Sequence, residues 1–400
     1  MSNSRIVGSS DSQQSALRQS DSKTIGQSDN WTIQTIRPLQ YICDLSPYQP
    51  GMPIELVARK HGLDPNKIIK LASNENPLGM SPRARQAVER TLDEAHIYPD
   101  QYQLTHKLAA RLGVTPEHIV LGNGSNDVLD LIARTFLDEG REAVSSRYAF
   151  AIYAIATQSV GARNIIVADK DFGHDLDAML AAITPKTGVV WIANPNNPTG
   201  TLVPARELKQ CLEKVPQEVV VVLDEAYYEY LEHEDRADSI SWLKEHPNLI
   251  VVRTFSKAYG LAGLRVGYAV AAPEVAELLN RVRQPFNVNL LALSAAEAAL
   301  DDEEFLARTV QANRAGRKQL LDSLAELGLQ TMPAHGNFVT VRVPNAAETS
   351  LQLLKAGVII RPLASYGLAD WLRVSIGTEV ENQVFLTALS AIVERQLNER

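Results

Sequence analysis

Val219-Val-Val-Val-Leu-Asp-Glu-Ala-Tyr227 and Leu249-Ile-Val-Val-Arg-Thr-Phe-Ser-Lys257 follow one plan, an apolar β-branched run that ends abruptly in chemistry-bearing polar residues. Val189-Val-Trp-Ile-Ala-Asn-Pro-Asn-Asn-Pro-Thr-Gly200 repeats it, and Asn164 to Val167 supplies another short run rich in β-branched residues. Continuous apolar runs without alternation mark strands buried on both faces. Helical patterns lie between several of them, as in Pro204 to Leu212. That alternation predicts an α/β fold with a mostly parallel sheet covered by helices on both sides.

Working outward, Ser81-Pro82 reads as an N-cap with a first-turn proline, opening a helix over Arg83 to Glu94. Val128, Leu129, Ile132 and Phe136 have helical spacing within Ser125 to Leu137. After about residue 300 the pattern changes. A long charged helix (Glu303 to Leu327) leads to short strands at Phe338 to Val343, Val358 to Arg361 and Leu372 to Ile376, then a closing helix. This predicts a smaller α+β domain packed on the first.

Four hundred residues suit a two-domain enzyme, and 45% apolar with 22% charged residues is the balance of a globular protein. A formal charge of −8 argues against nucleic acid or an acidic membrane surface as partner. No apolar run reaches the roughly 20 residues needed to span a bilayer. Cys43 and Cys211 form no CxxC pattern and read as free thiols in a reducing compartment, and the eight histidines show no metal-ligand spacing. Residues 1–30 are Ser- and Gln-rich without an apolar core. Their basic Arg5, Arg18 and Lys23 are balanced by Asp11, Asp21 and Asp29, so a disordered tail is expected rather than a targeting signal.

Ligands of open α/β sheets gather at the carboxyl ends of the strands. Gly122-Asn-Gly-Ser-Asn-Asp127 follows the apolar Ile119 to Leu121 and opens a helix whose free N–H groups suit an anion, although a Gly-rich turn also occurs without any ligand. The 194–200 stretch is either a punctuating turn or a source of Asn196 and Asn197 side chains at a strand end. Asp224, closing a buried strand, needs a cationic partner, either a structural arginine or a protonated ring nitrogen. Lys257 lies between an apolar run and three glycines in Ser256-Lys-Ala-Tyr-Gly-Leu-Ala-Gly-Leu-Arg265. Burial there would lower its pKa and free a neutral amine for Schiff-base chemistry.

The ordered set GNGSND, NPNNPTG, DEAY and SKAYGLAGLRVG resembles the fold-type I aminotransferases over residues 40–400. Within them, LSPYQPG (45–51), LASNENPLG (71–79), IYPD (97–100), GVIIR (357–361) and LRVSIGT (372–378) are similar to the histidinol-phosphate aminotransferase subfamily. The resemblance implies the aspartate-aminotransferase-like fold, with residues 31–77 as an N-terminal arm and part of the small domain. Residues 78–300 would then be the large cofactor-binding domain and 301–400 the small C-terminal domain. It also implies pyridoxal 5'-phosphate as cofactor, amino transfer between histidinol phosphate and 2-oxoglutarate, a cytoplasmic setting and a homodimer, with neither nucleic acid nor membrane as partner.

The residue roles it implies make physical sense. Lys257 would hold the cofactor covalently and later move a proton, while Asp224 would keep the pyridine nitrogen protonated. Tyr227 and Asn197 would bond the ring's 3-oxygen. Ser125, Asn126, Ser256 and Arg265 would cup the phosphate. Phe150 would stack on the ring, where the family more often carries tyrosine. Tyr98 would reach the neighbouring subunit's cofactor phosphate. Arg373 would grip the substrate's anion, with Arg361, Tyr48 and Asn197 completing the substrate site. Three alternatives remain open on sequence: an aminotransferase for aromatic amino acids, a decarboxylase of phosphorylated threonine, and a non-catalytic cofactor sensor.

Overall fold

The computed structural model describes residues 37–398. The tail expected at 1–30 lies outside them. Its strands in chain order are β1 (Ile69–Lys70), β2 (Ile119–Gly122), β3 (Glu142–Ser146), β4 (Arg163–Val167), β5 (Thr187–Ala193), β6 (Val220–Asp224), β7 (Leu249–Thr254), β8 (Gly267–Ala271), β9 (Phe338–Arg342), β10 (Val358–Ile359), β11 (Arg361–Pro362) and β12 (Trp371–Ser375).

Seven of them form the main sheet, in the order β2-β8-β7-β6-β5-β3-β4. All run parallel except β8, which is antiparallel to both its neighbours. Strands β5, β6 and β7 are buried along their whole length. Alternate residues feed two separate cores. Val190, Ile192, Val221, Leu223 and Val251 enter one, whereas Val189, Trp191, Val220, Val222 and Val252 enter the other. Period-2 geometry thus explains why these strands carry no polar face. Only β4, an edge strand, is substantially exposed.

The register makes β5 and β6 end level, Ala193 opposite Asp224, and β7 runs only two residues further, since Asp224 pairs with Val252. Antiparallel β8 starts where its neighbours stop, with Gly267 opposite both Gly122 and Thr254. The residues just before β8 therefore join the carboxyl edge of the sheet.

A second, antiparallel sheet has the order β11-β12-β9, and β1 pairs with β10. The stretch expected as one strand over Val358 to Arg361 is two strands here. Its first half pairs with β1 and Arg361–Pro362 pairs with β12, setting Arg361 opposite Arg373. The helix expected over Arg83 to Glu94 runs Pro82–Thr91, then tightens into a 3₁₀ turn. Ser81 caps it, its Oγ accepting from the Ala84 N–H at 3.0 Å.

Ser81 is fully buried, so a lost cap leaves an orphan N–H. Ser81→Ala is expected to cost about 1 kcal/mol. A lower urea midpoint at unchanged slope would show it, and an unmoved midpoint would contradict this role for Ser81.

Candidate active site

A cavity of about 370 Å³ opens at the carboxyl edge of the main sheet. Lys257, three residues past the end of β7, borders it, and its Nζ donates to the Ser73 carbonyl at 3.2 Å. Burial lowers the lysine pKa to about 8. The Arg373 and Arg265 charges push the same way, while Glu75 opposes them. Neutral amine is therefore accessible close to neutral pH.

Asp224 ends β6 and is 5% exposed. Its Oδ2 accepts from the Tyr153 hydroxyl at 2.8 Å and its Oδ1 from the Ala226 N–H at 3.1 Å. Burial raises its pKa to about 6 despite these donors. A cation placed against it would reverse that rise. Tyr153 is held in turn by parallel stacking on Trp191, ring centroids 5.3 Å apart, and Phe150 meets Tyr153 edge-on at 5.8 Å.

Another end of the cavity is built from anion donors. The Ser125–Phe136 helix begins there after Gly124, with no side chain capping it. Gly124 has φ +82°, and a Cβ on it would fall 2.4 Å from Arg265 Nη2; one on Gly267 would fall 2.5 Å from the Ser125 backbone N. Glycines are required because helix start, arginine and strand β8 touch. Ser125, Asn126, Thr254, Ser256 and Arg265 all border this cavity. Helix-start N–H groups, hydroxyls and a guanidinium form a donor set suited to a phosphate.

A basic wall of the cavity is made where the two sheets meet. Arg373 is 6% exposed; its Nη1 donates to Asn197 Oδ1 at 2.5 Å and its Nη2 to the Ala72 carbonyl at 2.8 Å. Its Nε is buried with no partner, a donor in want of an acceptor. Tyr48 borders the cavity beneath Arg361, whose guanidinium lies 5.5 Å from the ring. Arg361 itself borders the adjoining cavity, which shares Tyr48 and Phe150.

The fold thus brings Lys257, Asp224, Tyr227, Asn197, Ser125, Asn126, Phe150, Ser256, Arg265, Arg373 and Tyr48 to one cavity, with Arg361 next door. Tyr98 does not border it. That ring is 77% exposed and stacks on Phe286 at 4.4 Å. Sequence reasoning missed Asn74, which donates to the Tyr227 hydroxyl, and Tyr153. A faint signal existed for each. Tyr153 lies one helical turn beyond Phe150, and Asn74 stands in the polar run Ser73-Asn-Glu-Asn76 between apolar neighbours.

The model of the family described as aminotransferase class I and II matches residues 66–389. A *Dechloromonas aromatica* protein named histidinol-phosphate aminotransferase 1 is 58% identical over 351 residues, covering 88% of this chain and 97% of that one. A *Pseudomonas aeruginosa* protein named histidinol-phosphate aminotransferase 2 is 54% identical over 352 residues, covering 87% and 95%. Among solved structures, histidinol-phosphate aminotransferase from *Sinorhizobium meliloti* in complex with pyridoxal-5'-phosphate superposes with a TM-score of 0.83 at 29% identity. That match covers 90% of this chain and 98% of that one.

Only neutral amines are nucleophilic, so labelling of Lys257 by a small amine-directed reagent is expected to rise with pH through a midpoint near 8. Peptide mapping by mass spectrometry would follow it. A midpoint at the ordinary lysine value of 10.5 would contradict the buried-amine geometry.

Proposed function

We propose that this chain, which belongs to the class I and II aminotransferase family and has the fold-type I architecture, transfers an amino group reversibly between L-histidinol phosphate and 2-oxoglutarate, giving imidazole acetol phosphate and L-glutamate, with pyridoxal 5'-phosphate held on Lys257. The observation that carries this reading is the convergence of three complementary groups on one cavity, namely a lysine with its pKa lowered to about 8, a carboxylate at a strand end, and a helix-start anion cup.

These residues fit the cofactor. The Gly124–Arg265 cup suits its phosphate, and Asp224 suits a protonated ring nitrogen, which would supply the cation that the buried carboxylate lacks. Tyr227 and Asn197, which line the same cavity, would bond its 3-oxygen, and Phe150 would offer a ring face. When bound, the cofactor supplies an electron sink for the pair left behind as the substrate's Cα–H bond breaks.

The chain's own groups do the rest. Asp224, oriented by Tyr153, would keep the ring nitrogen protonated. Lys257 Nζ, neutral near pH 8, would take the Cα proton and give it back to the carbon on the far side of the amino nitrogen, acting as base and then as acid. Arg373 holds the anionic end of the donor and presents its unpartnered Nε to it. Arg361 and Tyr48 extend that grip toward a phosphate ester, while the same guanidiniums accept the carboxylates of glutamate.

The active molecule in this reading is a homodimer in which Tyr98 reaches the partner's cofactor phosphate. The exposed Tyr98–Phe286 stack beside an Ile97 that is also exposed supports such an interface. The expected large domain at 78–300, with an arm and small domain built from the chain on either side of it, is supported by the pairing of β1 with β10. The proposed setting is the cytoplasm, supported by two free cysteines. Among the described residues no helix is long and apolar enough to cross a membrane.

Lys257→Ala is expected to abolish transamination while leaving the far-ultraviolet circular dichroism unchanged; full activity in that variant would overturn the mechanism. With 2-oxoglutarate as acceptor, kcat/KM is expected to be higher for histidinol phosphate than for phenylalanine or tyrosine. A preference for the aromatic amino acids would overturn the substrate and leave the chemistry standing.

A further inference from the structure

Asn74 is a buried polar residue to which the reaction above gives no task. It borders the cavity, is 1% exposed and has φ +55°, a left-handed conformation that asparagine tolerates better than most residues with a side chain. Its backbone carbonyl accepts from Asn337 Nδ2 at 2.9 Å, and its backbone N–H donates to Ser375 Oγ at 2.8 Å. In the side chain, Oδ1 accepts from Ser375 Oγ at 3.0 Å and Nδ2 donates to the Tyr227 hydroxyl at 3.0 Å.

The serine and the amide are matched in one orientation. Ser375 Oγ accepts the Asn74 N–H and gives its one hydrogen to Oδ1, which leaves the amide NH₂ facing Tyr227. Tyr227 then accepts from Asn74 and keeps its own hydrogen to give elsewhere. The charged groups around this phenol are Arg373, Asp224 and Lys257, the last with Nζ 5.9 Å from the ring centroid; the Tyr366 phenol is also near. None of the hydrogen bonds of the described structure gives the Tyr227 hydrogen another acceptor.

We infer that Asn74 is a positioning residue that directs the Tyr227 hydroxyl hydrogen toward the 3-oxygen of the bound cofactor. This rests on the reading that pyridoxal phosphate sits on Lys257. A hydrogen bond donated to that oxygen makes it less basic, so a proton shared between it and the lysine nitrogen is released at lower pH. The anchors of Asn74 are Ser375, which ends β12, and Asn337, which precedes β9, so the second sheet sets a hydrogen bond inside the main-sheet site.

The test is a pH titration of the visible absorbance of the bound cofactor in the parent protein, N74D, S375A, Y227F and N74D/Y227F. An aspartate at 74 accepts the phenol's hydrogen instead of donating to it, so the N74D midpoint is expected to rise by about one pH unit. S375A, which removes the serine that orients the amide, is expected to move the midpoint in the same direction by less, and it carries the test should N74D not fold. In the Y227F background N74D is expected to add no shift. An unchanged midpoint in both single variants would overturn the inference. So would a shift that persists in full without the Tyr227 hydroxyl, since the new charge alone would then explain it. A parent protein that binds pyridoxal phosphate without any visible band would overturn the Lys257 reading first and this inference with it.

Discussion

Parallel strands that end along one edge of the sheet are the constraint on which everything else rests. Because β5, β6 and β7 stop within two residues of one another, the end of β6 and the loops after β5 and β7 bring Asp224, Asn197 and Lys257 to the same edge. The interior of the sheet offers these groups nothing polar, so a buried carboxylate and a buried amine must be stabilised by each other's neighbourhood or by what they bind. Burial shifts both, Asp224 up to about 6 and Lys257 down to about 8. One reversed strand completes the site. The antiparallel run of β8 brings Arg265 back to the carboxyl edge, against Gly124 and the start of the Ser125–Phe136 helix.

Behind the site the same logic gives a different outcome. Glu225, next to Asp224, meets Arg253 at 2.8 Å, both side chains nearly fully buried. That pair is closed, so it serves structure. Asp224 has only neutral donors, Tyr153 and a backbone N–H, and keeps its charge available. Adjacent carboxylates at one strand end thus differ in whether an arginine is already bound, which leaves Asp224 the one open to a further partner. The two sheets meet in a similar division of labour. The β11–β12 register sets Arg361 beside Arg373, and the segment after β1 brings the Ala72 carbonyl to hold one arm of Arg373.

Much of this was legible in the sequence, for identifiable reasons. Strands β5 to β7 declare themselves because burial on both faces demands uninterrupted β-branched runs, and the polar residues that end them mark the site. Strand β3, Glu-Ala-Val-Ser-Ser, does not, because its small and polar residues match no simple pattern although every one is buried. Strand β8, Gly-Tyr-Ala-Val-Ala, is masked by a glycine whose presence is dictated by Ser125 pressing against it. The split at Ile360 between β10 and β11 follows from a change of partner, which a linear pattern cannot encode. Asn74 and Tyr153 escaped for the same reason. Their partners Tyr227 and Asp224 lie 153 and 71 residues away, and only folding shows that a buried amide and a buried phenol orient them.

The most direct measurement is borohydride reduction of the protein in the presence of pyridoxal phosphate, followed by peptide mapping. The account predicts a single pyridoxyl group on the peptide carrying Lys257, at one per chain. Label spread over surface lysines, or concentrated on any other lysine, would contradict the claim that the cavity at the ends of β5, β6 and β7 is where the cofactor is held.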